Sequence, residues 1–274
     1  MKKLWLLFLL VSGLAKAQEP WTAEPIANIS INQLDLISFD TNDQLFASNE
    51  NGDIFLFNAK GERKNFFSPP RQGKLSQLEA NWTVNIFSFS YDLQSYRILD
   101  RFLNPISDGN LLLPEVNLAK AVTLGNNNIL WIWDESDLSL KRLDYLRNIV
   151  LDSQPLNLIL GNKQLDVKEI REFKNLLFMN IPALGVFIFD NQGNLIKQLD
   201  LFGIERLCYW KEHLLWIEKG IIFSMSIATG EKSPLLVTPD AESLGIQIGQ
   251  EVVALTGSDQ IKLYSIPSAI KAFN

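Results

Sequence analysis

A single histidine, His213, and a single cysteine, Cys208, bound the chemistry open to this chain of 274 residues. A zinc site draws about four ligands from Cys, His and carboxylates, so one His without a Cys pair does not build one. A histidine base needs a positioned nucleophile, and no Gly-x-Ser-x-Gly elbow is present to supply it. His213, in Lys211-Glu212-His213-Leu214, therefore reads as an exposed turn residue. Cys208 has no disulfide partner and only Arg206 beside it to lower its pKa, so it reads as a small buried apolar side chain. No metal or other cofactor is expected. Carboxylates remain, and what they can do depends on the elements that bring them together.

Those elements repeat. Ile86-Phe87-Ser88-Phe89, followed by Tyr96, Leu99 and Asp100, falls on Leu130-Trp131-Ile132-Trp133, followed by Leu140, Leu143 and Asp144, at a shift of 44 residues. The layout recurs around Phe46, Phe178, Trp216 and Val253. That makes six copies spaced by about 37 to 47 residues, the length of a four-stranded propeller blade. Within each copy, apolar, β-branched and aromatic runs are separated by turn signals such as Asn51-Gly52, Gln192-Gly193 and Thr229-Gly230. An inner strand precedes most anchors, as at Leu36 to Phe39, Ala121 to Leu124, Ile170 to Phe173, Leu207 to Trp210 and Leu244 to Ile248. A more polar fourth strand follows, as at Tyr145 to Val150, Leu195 to Leu199 and Leu235 to Val237. The last copy has no fourth strand after Ser265. The alternating segment Ala27 to Ile31 is expected to fill that place and close the ring, which removes an open sheet edge.

On these repeats, residues 24 to 267 resemble a six-bladed β-propeller, with the NHL and quinoprotein-like propellers nearest in pattern. The fold class is all-β, as a single domain of residues 18 to 274. WD-repeat, sialidase and kelch marks are absent, and propellers host unrelated functions, so the resemblance implies a fold and no activity. Five or seven blades stay open, because the second copy is irregular before Trp82 and residues 69 to 81 have room for an extra hairpin. Phe46, Phe87, Trp131, Phe178 and Trp216 fall at one equivalent position and are expected to pack between blades.

In this frame, acids gather in the turns between second and third strands: Glu50, Asp53, Asp92, Asp134, Glu135, Asp137, Glu218 and Asp259. One acidic rim could meet a basic partner surface or Ca²⁺, although Asp is also an ordinary turn residue. Asp40-Thr-Asn42-Asp43 and Asp190-Asn-Gln-Gly193-Asn194 approach a calcium loop but lack its downstream Glu. Three long connections, residues 68 to 78, 104 to 115 and 152 to 166, would share one face. They offer Arg71, Leu112 and Leu158 to a partner, or else tuck against the blades or hide strands. A lactonase- or glycoside-type hydrolase would need acids at the inner ends of several blades, about 5 to 9 Å apart, and Asp35, Glu169 and Glu205 are scattered candidates.

Residues 1 to 17 carry Lys2 and Lys3, an apolar run from Leu4 to Leu14, and Ala15 and Ala17 at cleavage-site spacing, which reads as a signal peptide. Its removal takes the net charge from −6 to about −9, against nucleic acid and anionic membranes as partners. No later stretch is long and apolar enough to span a membrane as a helix. The first reading is a non-enzymatic, monomeric propeller exported to a bacterial periplasm or cell surface, binding a protein or envelope component.

Overall fold

Runs of four to six apolar, β-branched or aromatic residues punctuated by Gly, Asn and Asp favour short strands over helices, and the chain forms them almost throughout. The structure, a computed structural model, describes residues 21–80, 85–161 and 165–273. The leader segment 1 to 17 and the stretch around Trp82 lie outside the described residues. Six antiparallel sheets of four strands form the blades of a β-propeller. The inner strands are β2 (Leu34–Phe39), β6 (Gln77–Glu79), β10 (Ala119–Leu124), β14 (Glu169–Phe173), β18 (Cys208–Trp210) and β22 (Gly245–Ile248). Among the described residues, 69 to 80 hold only the short β6, and the sheets number six, so the ring has six blades.

The ring closes as the alternation of Ala27 to Ile31 predicts. β1 (Ala27–Ser30) pairs antiparallel with β24 (Gln260–Ser265), matching Ile29 to Ile261. A second latch lies on the same seam, where the Asp43 carboxylate accepts the backbone N–H groups of Gln250 (2.5 Å) and Glu251 (3.1 Å). Second-strand aromatics fill the gaps between blades: Phe46, Phe87 and Phe178 are fully buried, and Trp131 and Trp216 nearly so. Each contributes to a cluster that spans two neighbouring blades. Phe178, for example, packs edge-on against Tyr209 of the next inner strand, 5.2 Å between ring centres.

Two connections read as loops are partly regular structure. Residues 104 to 115 contain the outer strand β9 (Pro105–Asn110), and 152 to 166 contain the end of β13 (Ile149–Pro155) and a short helix α1 (Leu156–Leu160). The outer strand placed at Tyr145 to Val150 therefore begins four residues later, because the Asp144 carboxylate accepts the N–H groups of Leu146 and Arg147 and bends them into a turn. His213 does not stand exposed in a turn. It opens the strand β19 (His213–Glu218), half-buried with its ring stacked on Phe273, 4.1 Å between centres.

In the five blades that lie contiguous in sequence, the outer strand carries a bulge, at the equivalent place in the first four and nearer the start of the third strand in the fifth. The register skips Lys64, Ile106, Leu151, Ile196 and Leu235 in turn. A bulge interrupts the ladder and twists the edge away from foreign strands. This accounts for Ile106, Leu151 and Ile196 being more than half exposed without forming an edge that other chains can extend.

Candidate functional site

All six inner strands start at one face of the ring. Antiparallel order places the turns between second and third strands, and the connections from blade to blade, at that same entry face. The acid-bearing turns and the long connections therefore do share a face, and a cavity of about 430 Å³ opens there at the mouth of the central channel. Asp35, Gln77, Glu169, Arg171, Glu205 and Arg206 supply its polar lining, with Leu36, Ile204, Leu207, Leu244 and Ile246 among its apolar walls. The volume suits a small ligand or one inserted side chain.

Period-two alternation aims these groups inward. On β6, Gln77 and Glu79 flank Leu78; on β14, Glu169 and Arg171 flank Ile170, so each polar pair faces the channel while the intervening residue is buried. The two strands, in next-but-one blades, meet inside the channel. The Gln77 amide donates to Glu79 (2.5 Å) and to the carbonyl of Ile170 (3.2 Å). Arg171, 5% exposed, lies with its guanidinium carbon 5.5 Å from the Tyr209 ring centre and its Nη1 3.9 Å from Glu169 Oε1. At the rim, Arg206 is 3.6 Å and Lys74 3.8 Å from Asp35 Oδ1, both longer than a hydrogen bond.

These carboxylates are under-compensated. Burial pushes the Asp35 carboxyl above its usual range, and Arg206 and Lys74 recover only part of the cost. Burial likewise raises Glu169 against the pull of Arg171 and Arg206. Glu79, deeper in the channel, is pushed up to about 7 by desolvation, with Arg171, Gln77 and Thr123 opposing. Burial also works against the Arg171 charge, but Glu79 and Glu169 outweigh it and hold the guanidinium firmly protonated. Asp35 Oδ2, Glu169 Oε2 and Arg171 Nη2 are buried without a hydrogen-bond partner among the described residues.

The turn acids divide by environment. Asp134 is fully buried: burial would raise its pKa, but Lys141 at 2.7 Å, Ser136 and the amide of Asn117 bring it down to about 2. It braces its own blade and is closed to a partner. Asp137 shares Lys141 at 2.7 Å, and Asp53 exchanges bonds with Asn49. Glu50 pairs with Lys74 (2.9 Å), Glu218 with Lys232 (3.4 Å), and Asp259 accepts the Gln33 amide (2.7 Å). Asp92 and Arg71 are exposed. Leu112 and Leu158 are 64% and 77% exposed, while their neighbours Leu111 and Leu156 are sealed in the blades. The calcium-like stretch at Asp190 is a turn in which its carboxylate accepts the N–H groups of Gln192 and Asn194. Among the described residues no group of three or more His, Cys, Asp or Glu is placed to hold a metal ion.

Sequence reasoning named Asp35, Glu169 and Glu205 but not Gln77, Glu79 or Arg171, nor the exposed Phe202 and Leu244 of the same face. The missed signal is a pair of polar residues two apart on an inner strand, Gln77-x-Glu79 and Glu169-x-Arg171.

No protein-family model and no curated protein matches the chain. Among solved structures it is similar to the β-propeller domain of Myceliophteria thermophila Cps50 (Swd1), at 12% identity and TM-score 0.62, over 89% of this chain and 99% of that one. It is also similar to the WD40 domain of Neurospora crassa Pan2 (12% identity, TM-score 0.58, 85% of this chain and 78% of that one). A streptogramin B lyase structure aligns at 16% identity and TM-score 0.56, over 88% of this chain and 85% of that one. At such identities the likeness establishes the fold, a six-bladed β-propeller, and nothing finer.

Proposed function

We propose that the chain is an exported, monomeric binding module that docks a protein or cell-envelope component on its entry face. The observation that carries this reading is the combination on one face of a polar cavity with a set of exposed apolar connections. Leu112, Leu158, Phe202 and Leu244 stand between 56% and 77% exposed there, each on a separate blade-to-blade connection. Large apolar side chains spread around a rigid rim are suited to burial by a partner. Arg71, Asp92 and the outer oxygens of Glu50, Glu218 and Asp259 would form its polar margin, steering approach more than holding the complex. The leader-like residues 1 to 17 support export to a periplasm or cell surface.

The test is capture from the native envelope with three forms of the chain: wild type, the triple variant Leu112→Asp, Leu158→Asp, Phe202→Asp, and a variant with Lys60→Asp and Arg147→Asp on the opposite face. A partner retained by the first and third and lost by the second is expected. Recovery of the same proteins by all three overturns the reading, as does finding the chain in the cytoplasm with residues 1 to 17 uncleaved.

A further inference from the structure

The buried acids of the channel mouth are held more loosely than the acids that brace the blades, although Glu169 also takes a backbone N–H from Leu207. The pairs that brace the blades, such as Lys141 with Asp134 and Asp137, meet at 2.7 Å, whereas Asp35 and Glu169 stand 3.6 to 3.9 Å from the cations nearest them. Both side chains are about nine-tenths buried, both line the cavity, and each keeps one oxygen without a donor. Leaving a buried carboxylate oxygen without a donor is costly unless something arrives to bond it.

The charge balance says what that something is. Four acids, Asp35, Glu169 and Glu205 in the lining and Glu79 beneath, face three cations, Arg171 and Arg206 in the lining and Lys74 at the rim. Arg171 is compensated from two sides by Glu79 and Glu169 and keeps one free N–H of its own, while neither Arg206 nor Lys74 reaches Asp35 at bonding distance, so the free carboxylate oxygens lack a donor. No metal-holding group exists among the described residues, and the walls at Leu36, Ile204, Leu207, Leu244 and Ile246 are aliphatic. An ammonium head on a methylene stem satisfies both: three donors for the free oxygens, and a chain that rests against apolar walls.

We propose that the channel mouth is a receptor for an aliphatic ammonium group, contacted by Asp35 and Glu169, whether it comes as a lysine side chain of a docked peptide or as a free alkylamine. The inference rests on the entry face being the binding face. Phe202, 56% exposed, and Leu244, 70% exposed, stand on the connections that frame the cavity, where residues flanking such a lysine would lie.

The experiment is calorimetric titration of the purified chain with four probes: an acetylated, amidated Leu-Lys-Leu tripeptide, its norleucine counterpart, n-butylamine, and sorbitol as a neutral donor. The lysine peptide is expected to bind at least about tenfold more tightly than the norleucine peptide. Asp35→Asn and Glu169→Gln are each expected to weaken it by about tenfold while leaving the melting temperature within a few degrees. Tighter binding of the peptide than of butylamine assigns the ammonium to a peptide; equal binding assigns it to a free amine. The norleucine comparison needs no variant, so it decides even where a substitution disturbs folding. Absence of binding by both amines, equal binding of norleucine, or preference for sorbitol overturns the proposal. If amines fail while envelope capture still depends on Leu112, Leu158 and Phe202, the ammonium site alone is wrong and the docking face stands.

Discussion

At the scale of single residues, burial separates acids that brace the fold from acids left for a ligand. Asp134 belongs to the first kind, and Asp134→Ala leaves the Lys141 ammonium, 3% exposed, with only the exposed Asp137 and the carbonyl of Glu115. A loss of about 3 to 5 kcal/mol in urea unfolding is expected. Glu79, beneath the cavity, accepts the Gln77 amide and is costly to ionise, so it belongs to neither kind. Its carboxyl ionises near 4.5 in the unfolded chain and about 7 in the folded one, so the folded state holds the proton more tightly between those values. Stability therefore falls as pH rises from about 4.5 to about 7, by about 3 kcal/mol, and is flat above that window. Glu79→Gln should remove this slope. Urea midpoints of the two proteins across pH 4 to 8 check it, and parallel curves would show that Glu79 titrates normally. Neither role was legible in the sequence, where Asp134 looked like a rim acid and Glu79 stood in an irregular stretch.

At the scale of elements, a turn device recurs that the sequence carried in plain view. Asn58, Asp100, Asp144 and Asp190 each sit at or just past the end of a third strand, and each side chain accepts two backbone N–H groups from the following turn. Such side chains offer the turn the bonds that its backbone lacks. Asp190→Ala is expected to cost about 1 kcal/mol and Phe178→Ala, which empties an inter-blade contact, about 3 to 5 kcal/mol, both read from denaturant midpoints. Second strands were readable because their apolar triplets repeat at blade length. The inner strand β6 was not, since Gln77-Leu78-Glu79 has three residues and only one apolar side chain. Aligning the turn-closing Asn and Asp residues would have placed β13 correctly, because Asp144 marks where the turn begins.

At the scale of the whole molecule, the ring depends on a strand from one end of the chain pairing with a strand from the other. Deleting residues 21 to 31 removes β1 and leaves β24 as an open edge beside a weakened seam. A lower melting temperature and concentration-dependent association in light scattering are expected; an unchanged monomer would mean that Asp43, the Gln33 to Asp259 bond and the packing between the first and last blades suffice for closure. Ring and closure followed from the repeat and the alternation of Ala27 to Ile31. The channel site did not, because Gln77 and Ile170 are 93 residues apart and meet only when blades two and four, next but one in the ring, line the same channel. The central claim is that the entry face, and not its opposite, meets the partner. Photo-crosslinking residues placed singly at 112, 158, 202 and 244, and at 60, 147 and 192 on the opposite face, test it in the native cell. The prediction is one shared adduct from the first four positions and none from the other three. Adducts only from 60, 147 or 192, or none from any entry-face position, would contradict it.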